Sequence, residues 1–184
     1  MQGARQRGMP SGFSLVEVLV VLALLAVLLG LAVPGMAGLR ARHELQAVAE
    51  DVWNSLMLAR SQALVHQQRV ALCPVTADRA CDLQGRWQLG WQVFVDSNHN
   101  GLRDAHERVL QSRAALPQGM SVQGNSTVDR GLGYGADGRS ESRTGAFQSG
   151  TLVVCRSGLS GGWKIVVNAL GRPRLEKTDG QECA

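Results

Sequence analysis

Aromatic side chains are scarce in this 184-residue sequence: four tryptophans, three phenylalanines and one tyrosine. A base-stacking platform needs several, so none is expected. Charge is sparse too, at 18% of residues, and lysine is nearly missing, because 17 of the 19 basic residues are arginine. Arginine suits bidentate phosphate binding, but a GC-rich genome produces the same bias. The four cysteines form no CxxC pair and fit no zinc-finger spacing, which leaves a zinc site as a minor alternative. No serine or cysteine sits in a recognisable nucleophile context. The four histidines, His43, His66, His99 and His106, fall on a helical stretch or in a polar loop. Neither an enzyme nor a bound cofactor is expected. No repeat occurs at a period of roughly 20 to 50 residues, so an array or solenoid is excluded.

Long apolar runs are present once. The mean hydropathy of −0.04 looks ordinary, yet Phe13 to Val33 is a 21-residue block whose only charge is Glu17. The average therefore conceals two materials, a membrane-like segment and a polar, Gly- and Arg-rich remainder. Ahead of the block, Met1 to Gly12 carries Arg5 and Arg7, no acid, and ends in Pro10-Ser11-Gly12. A basic leader before an apolar run is an export signature. This run is long enough to span a hydrocarbon core of roughly 30 Å, so it is expected to remain as a membrane helix. Glu17 within it would cost about 2.5 to 3.5 kcal/mol on insertion, and such a group usually has a partner.

Beyond the block, Leu45, Val48, Val52, Leu56, Ala59 and Ala63 recur at spacings of three and four among polar residues. That predicts an amphipathic helix, continuous with the first segment from about Phe13 to His66. Trp53 lies beside the apolar stripe and reads as core. After His66 the period becomes two: Arg69 to Cys73, Trp87 to Asp96, Arg108 to Gln111, Gly119 to Gln123, Thr151 to Cys155 and Trp163 to Asn168 read as strands. Gly124 to Gly150 holds seven glycines and reads as a long loop with one irregular strand. The expected fold class is α+β, a long N-terminal helix, partly transmembrane, packed on a small antiparallel β-sandwich head. The expected divisions are 1–12, 13–33, 34–67 and 68–184.

The run Gly12-Phe13-Ser14-Leu15-Val16-Glu17-Val18-Leu19 resembles the processing site of type IV pilins and pseudopilins. The resemblance implies that a prepilin peptidase removes residues 1–12 after Gly12 and methylates the new N-terminal Phe13. It also implies that Glu17, fifth in the mature chain, faces the α-amino group of a neighbouring subunit, and that Pro34 sits where such helices bend. The implied partners are other pilins, the peptidase and the inner membrane. The implied location is a single-pass inner-membrane protein with a periplasmic head, incorporated into a cell-surface pilus.

An exported head with Cys73, Cys81, Cys155 and Cys183 suggests two disulfides. Three pairings are possible, and proximity in sequence favours Cys73 with Cys81 and Cys155 with Cys183. Asp96 to Glu107 satisfies the twelve-residue calcium-loop template, with oxygen from Asp96, Asn98, Asn100, the Leu102 carbonyl and Glu107, and with Asp104 among its acids. A strand precedes the loop, and His99, Arg103 and His106 dilute its charge. A rigid ion-free hairpin is the other reading. Acidic Asn/Gly loops also resemble those of the GspH/FimT branch of pseudopilins.

Arg130 to Lys177 carries eight basic residues against three acids. After the strand ending near Asn168 comes Gly171-Arg172-Pro173-Arg174. If this segment is extended, the two arginines point the same way, about 6 to 7 Å apart, close to the spacing of successive phosphates. The run resembles the Gly-Arg-x-Arg motif of FimT-type minor pilins, which bind DNA in natural transformation. The resemblance implies that Gly171, Arg172 and Arg174 form a DNA-binding segment. Lys177, Lys164 and Arg156 would widen the patch, and the partner would be double-stranded DNA bound without sequence specificity. With two to four phosphate contacts, log K should fall against log salt with a slope of roughly −2 to −4. Of the aromatics, Tyr134 and Phe147 are expected outside the core. The other reading of these arginines is that they cover a β edge against aggregation or pair with Glu176 and Asp179. Two structural readings share the same leader, helix and head, a FimU-like minor pilin that primes assembly and a GspH-type pseudopilin of type II secretion.

Overall fold

The computed structural model describes residues 13–178 and 180–183, and within the first helix all side chains except those of 31–35 and 37. The leader, including Gly12, lies outside the described residues. Helix α1 runs Leu15–His66, and the chain divides into two units between Arg40 and Ala41.

In the first unit, Ser14 caps α1. Its hydroxyl accepts from the Glu17 amide at 3.2 Å, and its carbonyl accepts from Val18. Ser14-x-x-Glu17 has the spacing of a capping box. Phe13, Leu15 and the leucines and valines up to Leu29 are exposed. Among the described residues no helix is long and apolar enough to cross a membrane. The predicted block runs on through residues 31–33, whose side chains are outside those described.

In the second unit, the predicted stripe of α1 is fully realised: Leu45, Val48, Val52, Leu56, Ala59 and Ala63 are all buried, together with Ala49. The helix stops because Gln67 takes a left-handed φ of 50° and the Gln68 amide reaches back to the Ala63 carbonyl. That is a Schellman-type stop with glutamine in glycine's usual place. The Gln67 side chain adds a bond to the Leu64 carbonyl.

Among the described residues nine strands follow: β1 Val70–Pro74, β2 Trp91–Val95, β3 Val109–Arg113, β4 Met120–Gly124, β5 Leu132–Tyr134, β6 Ser140–Glu141, β7 Gly150–Arg156, β8 Gly162–Val167 and β9 Pro173–Thr178. They form two antiparallel sheets, ordered β3-β2-β1-β5-β6 and β4-β7-β8-β9. One apolar core joins the α1 stripe to both sheets through Trp87, Trp91, Val93, Val122, Leu152, Val154, Ile165 and Val167. Polar contacts tie α1 to each sheet: Trp91 donates to the Ser55 hydroxyl at 2.9 Å, Arg113 pairs with Asp51, and Trp53 donates to the Pro173 carbonyl at 3.2 Å. Trp53 is thus half-buried and packed on the core. β1 and β2 are buried on both faces, because Ala71, Cys73 and Phe94 form a second small cluster behind the first.

Four expectations need correction. Trp87 to Asp96 is not one strand. Trp87–Leu89 is a 3-10 turn and Gly90 has φ 105°, where a side chain would overlap the Arg113 carbonyl. Gly124 to Gly150 contains two strands, and β5 pairs with the central strand β1. Tyr134, on β5, is fully buried. The last strand is β9, which carries Arg174 and Lys177 and pairs with β8 along its whole length.

Both proximity-based disulfides form, Cys73–Cys81 and Cys155–Cys183, with sequence separations of 8 and 28. On chain-entropy grounds the longer loop is worth roughly 3.5 kcal/mol against 2.5 for the shorter. It also holds the C-terminal turn Gly180–Cys183 on β7 and β8.

Candidate functional site

The Gly-Arg-Pro-Arg segment is the exit of the β8–β9 hairpin. Asn168 organises its loop: its carbonyl accepts from the Gly171 amide at 2.8 Å and its side-chain oxygen accepts from the Arg172 amide at 3.1 Å. Gly171 has φ 74° and is buried. A Cβ there would overlap the Gly138 carbonyl oxygen and come within 3.0 Å of the Tyr134 ring. The glycine of the motif therefore lets the loop dock on the β5–β6 turn. That turn is itself fastened to α1, because Arg60 donates to the Gly138 carbonyl at 3.0 Å. Burial raises the pKa of the Tyr134 hydroxyl well above its usual value, against the opposing effect of the nearby Arg60 charge.

Arg172 and Arg174 are exposed on either side of the buried Pro173. Pairing with β8 then sorts the other basic residues by face, since adjacent residues of a strand point to opposite sides. Arg174 lies opposite Val166, and Lys164 lies opposite Glu176, on the outward face. Lys177 lies opposite Trp163 and Arg156 opposite Met120, on the face that carries the core. The Lys177 ammonium sits 5.7 Å from the centre of the Trp163 ring, and Arg156 is paired with Glu44 of α1. The six predicted residues are therefore not one patch. Arg172, Arg174 and Lys164 remain together, among acids: Arg174 is 3.4 Å from Glu176, and Lys164 is 4.0 Å from both Glu176 and Glu182.

At the same end of the hairpin stand two residues from the segment expected to be loop. The Arg139 guanidinium carbon lies 5.4 Å from the centre of the exposed Phe147 ring. The Ser140 hydroxyl, next in sequence to Arg139, is within hydrogen-bonding distance of the carbonyls of both Gln148 and Asn168. The count of basic residues contained Arg139, but nothing local indicated that β6 would lie beside Asn168.

The calcium-like loop turns an oxygen of each of its three carboxylates onto its own chain, while the buried second oxygen of Asp96 has no hydrogen-bond partner among the described residues. Asp96 accepts from the Gly101 amide at 3.0 Å and from the buried Arg69 at 2.7 Å. Glu107 accepts from the Ser97 amide and hydroxyl and from the Asp104 amide. Asp104 accepts from the side-chain amides of Asn98 and Asn100, at 2.7 and 2.9 Å. Those two hydrogen bonds hold its pKa below the ordinary carboxylate value, with burial opposing and the His106 charge helping. Among the described residues no group of three or more His, Cys, Asp or Glu side chains is placed to hold a metal. Arg69 is the hub that sequence reading missed. It bonds Asp96, Glu141 and the Ser142 carbonyl, tying β1, the loop and β6 together.

Residues 48–171, 124 of the 184, match the family described as type II transport protein GspH, and residues 5–33 match the prokaryotic N-terminal methylation motif. No curated protein matches the chain. Among solved structures, the type IV minor pilin FimU of Pseudomonas aeruginosa PAO1 is similar, with 20% identity, a TM-score of 0.56, and coverage of 76% of this chain and 92% of that one. The minor pseudopilin EpsH of the Vibrio cholerae type II secretion system is also similar, with 10% identity, a TM-score of 0.51, and coverage of 76% and 98%. At such identities the likeness concerns the fold, a long helix with antiparallel sheets.

Proposed function

The chain belongs to the GspH family, as a minor pilin or pseudopilin of a type IV pilus or a type II secretion system, and from that premise we propose that it is a type IV pilus subunit that binds extracellular DNA. In this reading prepilin peptidase cuts after Gly12 and methylates Phe13. The helix anchors the chain once in the inner membrane with the head in the periplasm, and the mature subunit joins other pilins in the fibre. The mature chain would have 172 residues, 184 minus 12, and losing Arg5 and Arg7 would lower its formal charge from +4 to +2. Global charge then says little, and DNA binding rests on local geometry.

The observation that carries the proposal is the exposed pair Arg172 and Arg174 at the exit of a hairpin fixed by its buried glycine. Guanidinium groups on a preorganised segment can engage successive backbone phosphates without reading bases. Lys164 shares the outward face and is the natural third contact, whereas Lys177 and Arg156 are engaged elsewhere. Two or three phosphate contacts give a log K against log salt slope of about −2 to −3. Affinity would be weak, and many copies along a fibre would compensate.

The head can be tested by itself, because the whole core lies between Leu45 and Leu175 within the second unit. Titrating residues 41–184 with short duplex DNA should give salt-dependent binding that Arg172→Gln with Arg174→Gln abolishes. Equal binding by both proteins, or none by the wild type, would refute the DNA reading. The acids Glu176 and Glu182 among the bases favour a second reading, a structural minor pilin or pseudopilin whose arginines keep the edge strand from pairing. That reading predicts no DNA binding and self-association in the double variant.

A further inference from the structure

We propose that the DNA surface continues from the β8–β9 loop onto Arg139 and Phe147, and that Phe147 stacks on an unpaired base, so that the preferred ligand has single-stranded character. This rests on the DNA reading above and concerns which form of DNA is taken. Gly138 and Gly171 touch, and Arg139 and Arg172 are the next residues in each segment. With consecutive Cα atoms about 3.8 Å apart, the two arginine backbones lie within roughly 12 Å of each other. Arg139 lies 3.4 Å from Asp137 in an exposed ion pair, which contributes little and which a phosphate can displace, so the long side chains of both arginines can reach neighbouring phosphates of one strand. Lys177 and Arg156, which the motif alone would recruit, are held on the opposite face.

Phe147 is 66% exposed, and Leu170 at the hairpin tip is 58% exposed. Single exposed apolar residues are ordinary on protein surfaces. Phe147 differs in its setting. Its backbone is fixed by a bridge to Glu141, which the buried Arg69 holds at 2.8 Å, and by the tight turn in which Ser142 bonds Ala146. Arg139 lies over the ring while the ring keeps most of its surface in solvent. A base can therefore stack on the exposed part of a ring that is already oriented, with its phosphate beside Arg139. One ring accommodates one base, and base stacking does not depend on sequence. A closed duplex keeps its bases stacked on one another and offers this ring none. Single strands and frayed ends do.

The test uses the full chain in non-ionic detergent, titrated with a labelled single strand and with its blunt duplex. Phe147→Ala should weaken single-strand binding by about fivefold or more, the lower limit for one stacked base, and leave duplex binding unchanged. Phe147→Trp should retain single-strand affinity, and Arg139→Gln should weaken both ligands. If Phe147→Ala changes neither ligand, or both equally, the stacking assignment falls while the duplex result with Arg172→Gln and Arg174→Gln still stands. If Phe147→Ala instead abolishes self-association in sedimentation with no effect on DNA, the patch is a protein contact and the inference is overturned. If the wild type binds neither DNA, the inference and the function on which it rests fall together.

Discussion

The β2–β3 connection and the β8–β9 connection are both polar turns rich in asparagine and glycine, yet they dispose of their charges in opposite ways. In the first, Asp96, Asp104 and Glu107 each accept hydrogen bonds from the protein's own amides or from Arg69. In the second, the turn is built by Asn168 and Gly171, and the charged residues Arg172 and Arg174 are left in solvent. The difference teaches that a charge can serve a ligand only where another group holds the backbone. Carboxylates that satisfy a turn's own amides are consumed in folding. A calcium-loop template read as text cannot register this, because ligand spacing is the same whether the oxygens face an ion or the chain.

The largest effect expected from breaking this contrast is at the folded core of the first loop. Asp96→Ala leaves Arg69 buried without its closest carboxylate, and removing one partner of a buried pair costs about 3–5 kcal/mol. Urea unfolding of residues 41–184 should show this loss, whereas a loop that mattered only for an ion would show almost none without one. Next comes Gly171→Ala, which combines a left-handed φ with overlap of the Gly138 carbonyl and should cost about 2–4 kcal/mol. Gly145→Ala is the control. It has φ 80° with nothing within 4 Å, and it should cost only about 1 to 2 kcal/mol. Equal losses at the two glycines would mean that the hairpin loop is not docked.

Smaller effects on stability sharpen the other side. Arg172→Gln with Arg174→Gln should change unfolding free energy by less than about 0.5 kcal/mol, as exposed substitutions do, while abolishing the salt-dependent DNA binding. A large stability loss would place these arginines with the structural charges. The finest test is pH. Because the Asp104 pKa is lowered, the order it lends the loop is present above the ordinary 3.8 and is lost as pH falls through the lowered value. Side-chain amide signals of Asn98 and Asn100 should therefore move with a midpoint below pH 3.8. They should stay in place when calcium is added at neutral pH, and movement with calcium would break the contrast outright.

Much of the fold was legible because its signals are local. The six spaced apolar residues of the second half of α1 are the buried ones, and the leader motif is a contiguous string. The disulfides followed proximity, since a short loop closes with little entropy. The misreadings share a cause. β5 and β6 have three and two residues, too few for alternation to register, and glycines in their neighbourhood suggested loop. Tyr134 was expected outside the core for that reason, although pairing of β5 with β1 puts it inside. β9 carries Pro173, Arg174, Glu176 and Lys177, a polar run that becomes a strand because β8 supplies backbone partners. At the candidate site, residue types were readable but their grouping was not.

By itself the sequence determined the N-terminal motif, the long helix with its two kinds of face and the strand-rich head, and it favoured the two cysteine pairs only by proximity, leaving the pairing to the structure. Each of these is written in nearest neighbours or in a short period, so a few adjacent side chains carry the information. Only the tertiary structure decided which arginines share a surface. Strand register sends Lys177 and Arg156 to one face and Arg174 and Lys164 to the other, and a glycine-to-glycine contact brings the segment of Arg139 against that of Arg172. Those outcomes rest on backbone hydrogen bonds between distant segments, which nearly every residue can make and which therefore leave little trace in residue identity.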